Sequence, residues 1–89
     1  MGNPEPTFLL RDIPLTAVRL VGDGRHARLT LSLDGAAVEA MAFGRPDADQ
    51  LAGSSIDLVV RTAQRTYRGS ARIEVHVVDL RPAALGEAL

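Results

Sequence analysis

The chain has no cysteine and no lysine, only three aromatic residues, and no long apolar run. Without cysteine there is neither a disulfide framework nor a thiolate metal site, which favours a reducing, cytoplasmic setting. Without lysine no phosphate loop of the Gly-Lys type can be built; the "GDG" at Gly22 to Gly24 is also too short for one and lies between strands, where a hairpin turn explains it. No apolar stretch approaches the roughly 18 residues that cross a bilayer, and "MGNPEPTFLL" is acidic and broken by proline where an export signal is basic and then apolar. No membrane association is expected. All ten basic residues are arginine, yet the formal net charge is −1, so a claim of nucleic-acid binding has to rest on where the arginines fall.

Eighty-nine residues with 46% apolar content suit one small domain with a modest core. Residues 1–14, with three prolines and little periodicity, read as a tail or linker; residues 15–82 read as the folded domain and 83–89 as a C-terminal tail. "LTAVRLVG" is a β-rich run ending at the glycine turn. "HARLTLSL" alternates Ala27, Leu29, Leu31 and Leu33 against His26, Arg28, Thr30 and Ser32, the mark of a half-buried strand. Asp34-Gly35 turns the chain into "AAVEAMAFG", with Val38, Ala40 and Ala42 expected inside. "RPDADQLAG" has the proline, early acids and closing glycine of one short helical turn. "SSIDLVVRTAQ" and "SARIEVHVVDL" alternate again, predicting a core face of Ile56, Leu58 and Val60 on one strand and of Ile73, Val75 and Val77 on the other. Five strands with a short helix between the third and fourth predict an all-β, five-stranded OB-fold Greek-key barrel; a split five-stranded sheet or an SH3-like barrel fits the same pattern.

"RTAQRTYRGSAR" places Arg61, Arg65, Arg68 and Arg72 at intervals of four, three and four, the spacing of one helix face. A helix there would enclose Gly69, Thr62, Thr66 and Tyr67 and interrupt two alternating flanks, so a hairpin with its connection at "RTYRGS" is the better reading. Core-facing positions are even on the incoming strand and odd on the outgoing one. Arg61, Arg65 and Arg72 therefore point to one outer face, with Tyr67 and Arg68 at the tip. Such arginines can be plain solvated residues or partners of local acids such as Glu74; equally, their forks can hold phosphate oxygens while Tyr67 offers a ring for base stacking.

Other chemistry is sparse. His26 and His76 fall on outer faces without further ligands at metal spacing and read as surface polar groups. Asp47 and Asp49 are accounted for by helix capping. Phe43 reads as core or as a plug at the barrel end. No catalytic acid-base pair is evident.

"GRHARLTL" (Gly24 to Leu31), "VEAMAFG" (Val38 to Gly44), "IDLVVRTAQRTYRG" (Ile56 to Gly69) and "IEVHVVDLRP" (Ile73 to Pro82) together resemble the OB-like domain of the RecJ family of bacterial single-stranded-DNA-specific 5′-3′ exonucleases. The resemblance implies an excised, non-catalytic domain that helps clamp single-stranded DNA for catalytic domains absent from this chain. It also implies manganese or magnesium in those catalytic domains and none here, and carries over Arg28, Tyr67 and Arg68 as DNA contacts. Arg61, Arg65 and Arg72 join them from strand parity. The partners so implied are single-stranded DNA and the catalytic domains of the same parent protein. A structural barrel that docks on a neighbouring domain is the rival reading, and a free-standing enzyme has no residue constellation behind it.

Overall fold

Left-handed backbone at three turns sets the strand boundaries. Asp34 and Gly35 (φ 51° and 82°), and Arg68 and Gly69 (φ 50° and 81°), each form a two-residue hairpin turn with both central residues at positive φ, whose twist matches that of the flanking strands. Gly22, Asp23 and Gly24 (φ 60°, 59° and 81°) make the longer turn after the first strand. In the computed structural model, which describes residues 6–83 (of Tyr67, the backbone only), these turns separate β1 (Thr7–Val21), β2 (His26–Leu33), β3 (Ala36–Ala42), β4 (Ser55–Tyr67) and β5 (Ser70–Pro82). A single 3₁₀ turn, Pro46–Leu51, lies between β3 and β4.

The strands close into a barrel in the order β1-β2-β3-β5-β4, the order expected of the OB-fold. Every pairing is antiparallel except β3 with β5, which run parallel and meet at Met41 and His76. Alternation on β2 works for Ala27, Leu29 and Leu31, which are fully buried and joined inside by Leu15, Ala40, Ala42, Ala48, Ile56, Leu58, Val60 and Leu80, whereas Leu33 and Val38, also expected inside, are only half-buried beside the β2–β3 turn. Each buried Leu or Ile contributes about 1.5–3 kcal/mol of transfer free energy, so this one cluster holds the barrel closed.

Two sequence expectations are corrected. Residues 7–14 are not a tail: they are the first half of β1, and Thr7 to Pro14 pair with Arg61 to Ser55 of β4. Their periodicity is hidden because the register shifts between Leu10 and Ile13, where Asp12 takes φ 57°, and again between Leu15 and Ala17. The bulges let one strand bend from β4 to β2, and Pro14 sits where the partner changes. Residues 1–5 and 84–89, which hold the rest of the two expected tails, lie outside the described residues.

Ile73 is the second. It is 67% exposed, whereas Val75 and Val77 pack against the core as expected. β4 and β5 stay paired out to Tyr67 and Ser70, while among the described residues β1 accompanies β4 no further than Arg61. The end of this hairpin projects as a two-stranded arm, and Ile73 lies on a face of the arm that nothing described covers.

Candidate nucleic-acid interface

Register places the arginines. β5 carries one extra residue, Val78, so that Leu58 faces Leu80 but Val60 faces Val77. Beyond that bulge the pairing runs without a break, with Arg61 opposite His76, Ala63 opposite Glu74 and Arg65 opposite Arg72. The odd residues of β4 and the even residues of β5 therefore share one face, and Val60 on the other face is buried, so theirs is the outer one. Across the sheet the same row continues from His76 to Met41 on β3, Arg28 on β2 and Arg19 on β1.

Arg28, Arg61, Arg65 and Arg72 are thus co-facial. Arg28 and Arg61 stand three interstrand steps apart, about 14 Å along the sheet, and Arg65 lies four residues further out along β4, about 13 Å. Arg19 is a fifth arginine on that face. Arg68 stands exposed at the tip in its left-handed turn, and the Tyr67 side chain lies outside the described residues.

The outer face is not purely basic. Glu74 Oε1 lies 3.2 Å from Arg65 Nε and accepts a hydrogen bond from His76 Nε2 at 2.9 Å. The His76 hydrogen bond first, then the positive charges of Arg65 and Arg72, hold the Glu74 carboxyl below its usual range. Its contribution to stability is accordingly present above the unfolded carboxyl's pKa and is lost as pH falls through the lowered folded value. Between β3 and β5 the barrel parts into a crevice of about 230 Å³, lined by Arg28, Glu39, Met41, Arg72, Ile73 and Glu74 among others.

His76 is not the plain surface group that its parity suggested. It is 8% exposed, and Phe43 covers it edge-on with ring centroids 5.1 Å apart. Phe43 also meets His26 edge-on at 5.5 Å, and is itself 49% exposed, so it is neither core nor plug. His26 Nδ1 accepts the Gly44 N–H at 2.8 Å, which in a neutral ring places the proton on Nε2. Its ring also packs over Gly22, where a Cβ would come within 2.8 Å of His26 Cδ2. One imidazole thus ties the β1–β2 turn to the end of β3. The result is a half-exposed aromatic ring on the cationic face, steadied from both sides. Periodicity could not reveal it, because Phe43 falls just beyond the end of β3.

The remaining charged groups serve the frame. Arg45 reaches Asp47 (Nε to Oδ1, 3.2 Å), Asp79 (Nη1 to Oδ1, 3.2 Å) and the Leu80 carbonyl, fastening the 3₁₀ turn to β5. Hydrogen bonding between Arg45 and Asp47 pushes the guanidinium further up and the carboxyl down. Asp57 is 7% exposed, and its Oδ1 accepts the Asp12 N–H at 2.8 Å. Among the described residues no three His, Cys, Asp or Glu side chains stand together as metal ligands, and no helix is long and apolar enough to cross a membrane.

Comparison with known proteins gives the family and the fold. The family model described as the RecJ OB domain matches residues 1–79. The single-stranded-DNA-specific exonuclease RecJ of Thermus thermophilus is 39% identical over 85 residues, which make up 94% of this chain and 12% of that protein. Crystal structures of Thermus thermophilus RecJ in complex with Mn²⁺ and with Mg²⁺ superpose with a TM-score of 0.62 each, at 29% and 30% identity. They match 89% and 90% of this chain, and 11% and 12% of theirs. A small single-stranded DNA-binding protein from Streptomyces coelicolor matches 90% of this chain and 95% of its own at TM-score 0.51; at 13% identity that likeness shows the barrel fold alone. The chain spans about an eighth of the length of the RecJ proteins it matches.

Proposed function

Since the chain belongs to the RecJ OB domain family, we propose that it binds single-stranded DNA along its outer β2-β3-β5-β4 face and presents the strand to a catalytic core elsewhere in a RecJ-like 5′-3′ exonuclease. The observation that carries this reading is the co-facial placement of Arg28, Arg61, Arg65 and Arg72. In OB-folds the β2–β3 face and the loops beside it are where oligonucleotides lie. Guanidinium forks suit phosphate oxygens, and a row of them follows a backbone without reading its sequence. Phe43 offers one π-face for a base, and Tyr67 and Arg68 at the hairpin turn extend the proposed track. Chemistry, with its manganese or magnesium, belongs to the catalytic domains, and the setting is the cytoplasm. Four phosphate contacts predict binding that is indifferent to base sequence and falls with a slope of about −2.8 in log K against log salt. A fluorescence-anisotropy titration of a labelled oligonucleotide over a salt series measures it; a flat salt dependence rejects the reading.

Docking on a neighbouring domain is a second role, favoured by a separate groove of about 220 Å³. Its lining includes Leu9, Arg11, Val59, Asp79 and Arg81, an apolar floor with charged groups beside it, and Leu9 is 57% exposed. Leu9→Ser, which adds no charge beside Arg61, is expected to weaken association with the separately expressed catalytic part of the parent, read by calorimetry, with little effect on DNA binding. Unchanged association excludes the groove as that interface.

A further inference from the structure

Glu74 stands at the centre of the cationic face, where an acid is least expected if the face exists only to attract phosphate. Its carboxylate meets Arg65 and His76, and it lines the β3–β5 crevice together with Arg28 and Arg72. The Arg65–Glu74 pair is solvated on both sides, with side chains 63% and 36% exposed, so little free energy opposes its opening. The His76 contact is different in kind, because that ring is held under Phe43.

We propose that the Glu74 carboxylate is a built-in rival of the nucleic-acid phosphate: it occupies the Arg65 guanidinium in the free domain and yields it when a phosphodiester enters the crevice. This rests on the single-strand reading above and adds a control to it. A carboxylate and a phosphodiester each carry one negative charge and offer two oxygens to a guanidinium fork, so the same group can serve either in turn. Held at the lip of the β3–β5 crevice by His76, Glu74 stays beside the track after release and repels the phosphate that displaced it. The effect is to keep affinity low, so that a strand can advance past the site between catalytic cycles.

The test is Glu74→Gln in the 89-residue chain, with Glu39→Gln as control. Glu39 lines the same crevice but makes no ion pair among the described residues. Glu74→Gln is expected to tighten binding of a single-stranded oligonucleotide about three- to tenfold at low salt, the scale of one solvated charge-charge term, and Glu39→Gln by less. Arg65→Ala is then expected to cost more affinity in the Glu74→Gln background than in the parent, because only there is the guanidinium free before binding. If Glu74→Gln binds no tighter, or more weakly, or if Arg65→Ala costs the same in both backgrounds while the parent binds DNA, the rival role is overturned and the DNA reading stands. If neither parent nor Glu74→Gln binds at low salt, both fall; binding by Glu74→Gln alone supports the rival role in its strongest form.

Discussion

Replacing Arg28, Arg61, Arg65 and Arg72 together with alanine is expected to weaken binding of single-stranded DNA about a thousandfold at about 50 mM salt, and to cut the salt slope to the small remainder carried by Arg19 and Arg68. On a single strand each phosphate contact contributes roughly 0.7 to that slope, and the counterions released by four contacts account for three to four decades of affinity at that salt. Arg65 begins paired with Glu74, which trims its share. The variant should still fold: Arg61, Arg65 and Arg72 are exposed, and none of the four belongs to the buried cluster. A thermal melt close to the parent's, alongside lost binding, separates loss of site from loss of structure. A variant that binds as the parent does, with the same slope, puts the strand on a different surface. A uniform loss across oligonucleotide sequences is part of the expectation, since phosphate contacts position without specifying.

Why the site was half legible in the sequence follows from what alternation reports. β2 carries Leu29 and Leu31 on one face and Arg28 on the other, and a period of two says which residues share a face. From that alone the co-facial arginines of β4 and β5 could be read, because the bulge at Val78 lies before Arg61 and leaves the later register untouched. Alternation does not report whether anything covers a face. Ile73 has the parity of a core residue and stands on an uncovered arm; His76 has the parity of a surface residue and lies beneath Phe43. Nor does it survive a bulge, so the first half of β1, kinked at Asp12, carried no strand signal although it pairs with β4. Glu74 could be read as a partner for the arginines but not for which one: the register sets it opposite Ala63 and its side chain reaches Arg65. Diagonal reach of that kind depends on rotamers, about which sequence spacing is silent.

Asp57 shows the same limit and leads to the largest stability effect expected here. In "SSIDLVV" it alternates outward between Ile56 and Leu58 as a solvent-facing acid would, and the strand bears this out only in direction. The β1 bulge folds over it: Asp12 at φ 57° gives its N–H to Asp57 Oδ1, and Arg81 Nε lies 3.6 Å from Oδ2. A non-glycine residue in left-handed backbone costs about 1–2 kcal/mol, which the Asp57 hydrogen bond helps to offset. Asp57→Ala leaves that N–H without its acceptor, a penalty of about 1–3 kcal/mol, and frees a bulge that is strained to begin with. Arg81 is mostly exposed, so losing its partner adds little. The expected total is about 1–3 kcal/mol, or a fall of roughly 4–24 °C in Tm for a domain of this size. Asp57→Asn keeps an oxygen for the Asp12 N–H and gives up only the charge, so about 1 kcal/mol is expected. Urea denaturation of the two variants beside the parent checks the order. An Asp57→Ala midpoint equal to the parent's would mean that the bulge holds its shape without the carboxylate, and that the bend in β1 is set by the packing of Leu10, Ile13 and Leu15 alone.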